Sequence, residues 1–295
     1  MFPAQQQPTL GRGNTLPQSG TMQFAPVQGI QMQQQMVQQY ARKGGYDSDD
    51  SDDCQESSFV AQCNLAVKRA FVRKVLGIVG VQLLITVVVG YYVMMAARGD
   101  GQFVDGKFYP RPASWVAPLT IVSSIGSLVC ILGPACCCQH LTRKFPQNML
   151  ILLLFTLFES VLVGVISARY EPYSVLVVMG ITAAVTLTLG LMAATCRIDF
   201  TGYAFVLCGC LQGLILVGFV MWFFPDTNYP MMHKIFAGFG AVLFCGFIVV
   251  DIQKLVKPDA EQQYKIDDYW WAAMNIYLDI INLFIYLLQL FGQRE

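Results

Sequence analysis

The chain has 295 residues, of which 55% are hydrophobic and only 13% are charged, and its formal net charge at pH 7 is +0. Soluble domains carry about 25% charged residues, so this composition excludes a soluble enzyme, a fibrous protein and a secreted disulfide scaffold. A net charge of zero also provides no basic field for nucleic acid. The composition therefore indicates a polytopic membrane protein.

The first 58 residues differ in composition from the rest of the chain. They are rich in Gln, Pro and Gly and end in an acidic run, without an apolar periodicity. Such a segment cannot bury enough apolar surface to offset its ordering entropy, so we predict a disordered tail over residues 1–58. Ser48 and Ser51 stand among aspartates and are candidate sites of acidic-directed phosphorylation. A simple solvating tail explains the same composition.

Seven apolar segments follow the tail, each long enough to cross a bilayer as a helix, which takes about 20 residues. We therefore predict an all-α membrane protein, a seven-transmembrane-helix bundle that forms one domain over residues 68–291. The segments lie at 74–98, 115–138, 149–168, 174–195, between 199 and 226, 235–256 and 269–291.

The distribution of Lys and Arg predicts the orientation. If the amino terminus is cytosolic, thirteen basic residues lie on the cytosolic side and six on the other. The positive-inside rule then favours a cytosolic tail and places the carboxyl terminus on the far side.

Ten cysteines are present, without the paired CxxC motifs of a zinc site. Cys136, Cys137 and Cys138 form a run at the end of the second segment. Cysteines in this position are candidates for acylation. They serve equally well as small packing residues.

Three carboxylates fall inside the apolar segments, namely Glu159, Asp251 and Asp279. A charged side chain at the bilayer centre costs at least about 2.5–3.5 kcal/mol on insertion scales. Such residues therefore face protein or water. Glu159 is a candidate lining residue of an ion pathway, and an equally good candidate for a structural hydrogen bond.

The seventh segment carries a polar stripe. Asp268, Asn275, Asp279, Asn282 and Tyr286 follow one another at spacings of seven, four, three and four, which places them on one helix face. At bilayer depth this face must line a cavity or a partner helix. Asn275 and Asn282 are thus candidate lining residues, and we expect the opposite Ile, Leu and Phe face to meet lipid.

Asp251 and Asp279 lie on consecutive helices joined by a short loop, so we expect the two carboxyl groups to be close. Two carboxylates in a low dielectric do not both ionise, and the pair shares a proton over a range that can reach neutrality. Carboxylate oxygens also suit Ca²⁺, which takes about 6–8 oxygen ligands. Two aspartates supply at most four, so the site is weak and better suited to permeation than to storage. The alternative is that each Asp makes a structural hydrogen bond across helices.

Several segments of the chain also resemble one known family, the Bax-inhibitor-motif (Lifeguard-like) membrane proteins. The similarity covers residues 68 to 291 in order. The motifs that carry it are Phe71–Val75, Phe145–Asn148, Asp199–Thr201, Phe247–Gln253 and Asn275–Phe284.

The resemblance implies a Ca²⁺ leak channel of intracellular membranes, in the endoplasmic reticulum or Golgi, that suppresses cell death. It implies that Asp251 and Asp279 are the pH sensor and gate, with Ca²⁺ and H⁺ bound transiently and no cofactor. Cell-death regulatory membrane proteins are the implied partners, besides the bilayer. Bacterial relatives have an arginine latch on the second helix. This sequence offers only Arg143 and Lys144, just past that segment.

Two other functions remain open from the sequence. The aspartates could exchange H⁺ for a cation in a proton-coupled exchanger, or the protein could be a non-conducting scaffold that regulates cell death. An intramembrane aspartyl protease also uses two aspartates on its sixth and seventh helices. Its Gly-x-Gly-Asp motif is absent here, because Asp279 follows Ile276-Tyr277-Leu278. We therefore predict that the protein is not an enzyme.

Overall fold

A computed structural model describes residues 65–99, 102–104, 107–109, 114–136, 146–221, 223, 230–257 and 269–294. The predicted tail with Ser48 and Ser51 lies outside these ranges. So do Cys137, Cys138, Arg143 and Lys144.

Within these ranges, seven helices are long and apolar enough to cross a membrane, which confirms the predicted fold class. Pro230 begins the sixth helix, where its fixed φ and missing N–H suit the first helical position. The helices are α1 (Leu65–Arg98), α2 (Val116–Cys136), α3 (Gln147–Ser167), α4 (Pro172–Thr195), α5 (Ala204–Met221), α6 (Pro230–Val256) and α7 (Tyr269–Phe291).

Two short elements were not predicted. A hairpin of strands β1 (Gln102–Val104) and β2 (Lys107–Tyr109) lies between α1 and α2, with Gln102 opposite Tyr109. A turn of 3₁₀-helix over Thr201–Tyr203 leads into α5.

Helix α7 is the centre of the bundle. It packs against α1, α3, α4 and α6, and Phe291, in its last turn, is the single exposed residue among its 23. Ile276, Leu283 and Leu288 are at most 1% exposed. The expectation that the apolar face of α7 meets lipid is therefore wrong, because neighbouring helices cover it.

Helix α5 has the opposite environment. It packs mainly on α6, and only its end residues Ala204 and Met221 are buried. Its apolar side chains, such as Phe205 and Phe219, are exposed on the outer surface of the bundle. In a membrane this surface contacts lipid.

Helices α1 and α3 approach each other closely at two glycines. A Cβ atom on Gly164 would lie 2.7 Å from the carbonyl oxygen of Gly90 and 2.8 Å from Val93 Cβ. Small residues let the backbones of membrane helices come this close.

We expect Gly164→Ala to destabilise the protein by about 1–3 kcal/mol, because the added methyl group overpacks the α1–α3 contact. Thermal unfolding of the purified protein in detergent measures the effect. Gly213→Ala on α5 is the matched control, since a Cβ there meets nothing within 4 Å. Equal unfolding temperatures for the two variants would contradict the close contact.

Candidate ion and proton site

Two members of the polar stripe of α7, Asp279 and Tyr286, face α6. The ring of Tyr286 stacks on Phe244 with centroids 5.7 Å apart, and it covers Gly240, where any side chain would collide with it. This part of the stripe thus lines a partner helix, with Asp279 directed to the same neighbour as Tyr286.

Asp251 of α6 and Asp279 of α7 are brought together inside the bundle. Their exposed fractions are 5% and 7%, and their carboxyl groups lie within hydrogen-bonding reach of each other. No described residue donates a hydrogen bond to the buried Oδ2 atom of Asp279. Two carboxyl groups can form a hydrogen bond only if one of them carries a proton. The geometry therefore suits a pair that shares a proton.

Lys254 is the charge partner of the pair. Its Nζ atom lies 3.0 Å from Asp251 Oδ1, three residues earlier on α6. The latch candidates Arg143 and Lys144 lie outside the described residues, and the sequence analysis did not single out Lys254. The three-residue spacing on a helix was the available signal, because side chains at i and i+3 are neighbours.

The other predicted lining residues have separate contacts. Glu159 is half-buried and accepts a hydrogen bond from the Ser127 hydroxyl of α2. Asn275 and Asn282 are half-buried on α7, and Asn282 Nδ2 donates to the carbonyl oxygen of Leu278 at 2.8 Å. Cys136, a predicted acylation candidate, is the last residue of α2.

By itself the Asp251–Asp279 pair is an incomplete metal site. Within the described part of the chain, no group of three or more His, Cys, Asp and Glu side chains could hold a metal ion. The two aspartates offer at most four carboxylate oxygens, fewer than the roughly 6–8 that Ca²⁺ takes. Any Ca²⁺ bound at this pair would keep water or backbone ligands and be held weakly.

The connection between α4 and α5 is fixed to α6 next to the pair. Gln253 is fully buried; its Nε2 donates to Ile198 O at 3.0 Å, and its Oε1 accepts from Phe200 N at 2.7 Å. Asp199 Oδ1 accepts hydrogen bonds from the backbone N–H and hydroxyl of Thr201, and these bonds lower the pKa of Asp199. The stabilisation from this turn is therefore present at neutral pH and is lost as the pH falls through that lowered pKa.

The fold and this pair define a class: a polytopic helical membrane protein with two contacting carboxyl groups and a lysine in its interior. Comparisons with known proteins give the family. The family model described as "Inhibitor of apoptosis-promoting Bax1" matches residues 68–295. The chain belongs to this Bax-inhibitor family.

Named relatives agree with the family model. The chain is 31% identical to protein lifeguard 3 of Homo sapiens over 233 residues, which cover 78% of this chain and 70% of the relative. It is 34% identical to protein lifeguard 4 of Mus musculus over 240 residues, which cover 81% of this chain and 91% of the relative.

Lys254→Met should destabilise the protein at neutral pH, because it leaves the carboxylate of Asp251 buried without its charge partner. Breaking a buried pair costs about 3–5 kcal/mol, an upper bound here because the Lys254 side chain is 16% exposed. The loss should shrink at low pH, where Asp251 carries a proton. Thermal unfolding in detergent at both pH values measures it.

The double variant Lys254→Met/Asp251→Asn tests the cause. Asparagine keeps the shape of the side chain and removes the uncompensated charge, so stability should return towards that of Asp251→Asn alone. A double variant as unstable as Lys254→Met would show that the lysine acts through packing.

Proposed function

We propose that this protein is a pH-sensitive Ca²⁺ leak channel of intracellular membranes, gated by Asp251 and Asp279, that regulates calcium homeostasis and suppresses cell death. The observation that carries the proposal is the contact of two buried carboxyl groups, one of which has an oxygen without a donor. An arrangement of this kind holds a proton or a cation between its oxygens.

In the closed state the proton of the pair resides on Asp279, which donates to the carboxylate of Asp251. Lys254 compensates the negative charge of Asp251 and fixes which carboxyl group keeps the proton. The shared hydrogen bond joins α6 to α7 across the middle of the site.

Loss of that proton opens the gate. Two adjacent carboxylates repel each other in a low dielectric, and they attract a cation in place of the proton. Ca²⁺ and H⁺ then compete for the same oxygens, so low pH on the side that reaches the pair suppresses the flux. The small number of oxygen ligands keeps Ca²⁺ binding weak enough for release.

The family supports the cell-death part of the proposal, since the matching model is described as an inhibitor of apoptosis-promoting Bax1. The names of the lifeguard relatives specify no ion. We place the protein in the endoplasmic reticulum or Golgi membrane. Its amino terminus is in the cytosol, because the excess of basic residues on that side favours this orientation. Cell-death regulatory membrane proteins are its proposed partners.

A proton-coupled cation exchanger is the second candidate, because the same pair could carry H⁺ one way and Ca²⁺ the other. The two mechanisms differ in stoichiometry. An exchanger moves protons in proportion to Ca²⁺, whereas a leak channel conducts Ca²⁺ down its gradient without a proton gradient. A protease remains the least favoured reading, because the aspartate motifs of that class are missing and neither the family nor these relatives are named as enzymes.

Asp279→Asn should abolish the pH dependence of Ca²⁺ flux, because an amide cannot titrate in this range. The measurement is Ca²⁺ entry into liposomes that contain the purified full chain, scanned over roughly pH 5 to 8, where a coupled buried pair can titrate. We expect wild-type flux to rise with pH, and Asp251→Asn to be either pH-independent or constitutively open.

Asp199→Asn is the matched control, since it makes the same substitution in the α4–α5 turn outside the carboxyl pair. It should keep the wild-type pH profile. Unchanged pH behaviour in both Asp251→Asn and Asp279→Asn would refute the gate. No flux at any pH in the wild type would favour the non-conducting scaffold.

Deletion of residues 1–58 should leave Ca²⁺ flux and its pH dependence intact, because both are assigned to the helical bundle. The same liposome assay compares the shortened chain with the full one. A shortened chain that folds but no longer conducts would place part of the gate in the tail.

A further inference from the structure

Helix α5 carries a polar side chain on a face that the bundle leaves uncovered. Gln212 is the only amide or charged side chain among the 18 residues of α5, and it is exposed. The described residues form no hydrogen bond with its amide. Because α5 packs mainly on α6, a single copy of the protein presents Gln212 to lipid.

Gln212 lies near the middle of the span. It is eight residues from Ala204 and nine from Met221, the two ends of α5, which is about 12–14 Å along the axis. A glutamine side chain is too short to reach the headgroups from that depth. Lipid tails offer no hydrogen-bond partner, so an unpaired amide is costly there. Gln212 therefore calls for a partner inside the membrane.

The residues around Gln212 form a continuous outward face, which we call the α5 seam. Phe205, Gly209, Gln212, Leu216 and Phe219 follow one another at spacings of four, three, four and three. This is the heptad pattern of a helix that packs along another helix. All five residues are exposed. A Cβ atom on Gly209 would meet nothing within 4 Å, so a second backbone has room to approach.

The α5 seam points away from the helix on which α5 is packed. Leu207, Leu214 and Met221 of α5 line the cleft between α5 and α6. Leu214 is two residues after Gln212, so the two side chains point about 160° apart around the helix. The packing of α5 on α6 thus leaves the seam available to a partner outside this chain.

The chemistry of Gln212 favours a second copy of this chain as that partner. Two copies in one membrane share the same orientation, so a twofold axis between them runs along the membrane normal and the two α5 helices meet in parallel. Each seam residue on the axis then lies opposite its own counterpart. An amide can pair with its counterpart because it both donates and accepts hydrogen bonds, whereas a carboxylate only accepts and an ammonium group only donates.

We propose that the α5 seam is the interface of a homodimer, in which the Gln212 amides of two copies hydrogen-bond to each other near the centre of the membrane. A single polar residue in an apolar seam fixes the register, because any other register leaves both amides unpaired. The heptad spacing gives the left-handed crossing of about 20° that is common between membrane helices. The proposal goes beyond Ca²⁺ permeation and does not depend on it, since Asp251 and Asp279 lie on α6 and α7 within each copy.

Single-molecule counting tests the dimer. The full chain, with one fluorophore at its amino terminus, is taken from cell membranes in polymer-bounded lipid discs, and its copies are counted as photobleaching steps. We expect two steps in most wild-type discs. In Gln212→Leu, which removes the amide, the association constant derived from several membrane densities should fall roughly tenfold, as for the loss of interhelical hydrogen bonds.

Three further variants test the amide, the seam and the position. Gln212→Asn keeps an amide and should retain most of the dimer. Leu216→Ala removes packing from the seam and should weaken association several-fold. Val206→Ala is the matched control, because Val206 is also exposed but points about 120° away from Gln212 around the helix; it should count like the wild type.

Single bleaching steps in the wild type at every density would overturn the proposal, as would equal association constants for the wild type and Gln212→Leu. Single steps in discs that hold a different membrane protein against α5 would assign the seam to that protein and also overturn it. Thermal unfolding of Gln212→Leu in detergent should match the wild type, which separates association from folding. None of these measurements uses Ca²⁺, so a failure here is distinguishable from a failure of the aspartate gate.

Discussion

The structure depends on the cost of placing carboxyl groups within a bilayer. Lipid offers neither a hydrogen-bond donor nor a counter-charge, so Asp251 and Asp279 must find both inside the protein. They do so by facing each other, with Lys254 at 3.0 Å from Asp251 as the compensating charge. This requirement explains why α7, with its polar stripe, lies at the centre of the bundle and not at its surface.

Because α7 is central, other helices must cover it on every side. Helices α1, α3, α4 and α6 do so, and the side chains that they contribute differ from face to face. Helix α6 meets the stripe with an aspartate, a lysine and a glycine that admits the ring of Tyr286. Helices α1 and α3 meet another face with neutral polar side chains, such as Thr86 at the hydroxyl of Tyr277, and close on each other through Gly90 and Gly164.

The same arrangement gives the family motifs a physical meaning. Asp251 and Gln253 are two residues apart on α6 and therefore point in different directions. The aspartate takes part in the carboxyl pair, and the glutamine holds the α4–α5 turn through two backbone hydrogen bonds. Tyr277 and Asp279 of α7 differ in the same way, since the tyrosine hydroxyl contacts Thr86 of α1 and the aspartate faces α6. Each motif combines a residue that suits proton or ion chemistry with a residue that positions its neighbours.

The sequence by itself determined the membrane class, the seven spans and their approximate limits, because hydrophobic length and charge placement are local properties of the chain. It also identified Asp251 and Asp279 as carboxylates within the membrane-spanning segments, since an aspartate in an apolar segment is conspicuous in any fold. Only the tertiary structure decided that the apolar face of α7 is covered by other helices, that Lys254 pairs with Asp251, and that Gln82 meets Thr156 across 74 positions. Ile, Leu and Phe are equally compatible with lipid and with a protein interior, and Gln, Thr and Tyr occur in many helices. Their partners therefore depend on packing between distant segments, which no local pattern encodes.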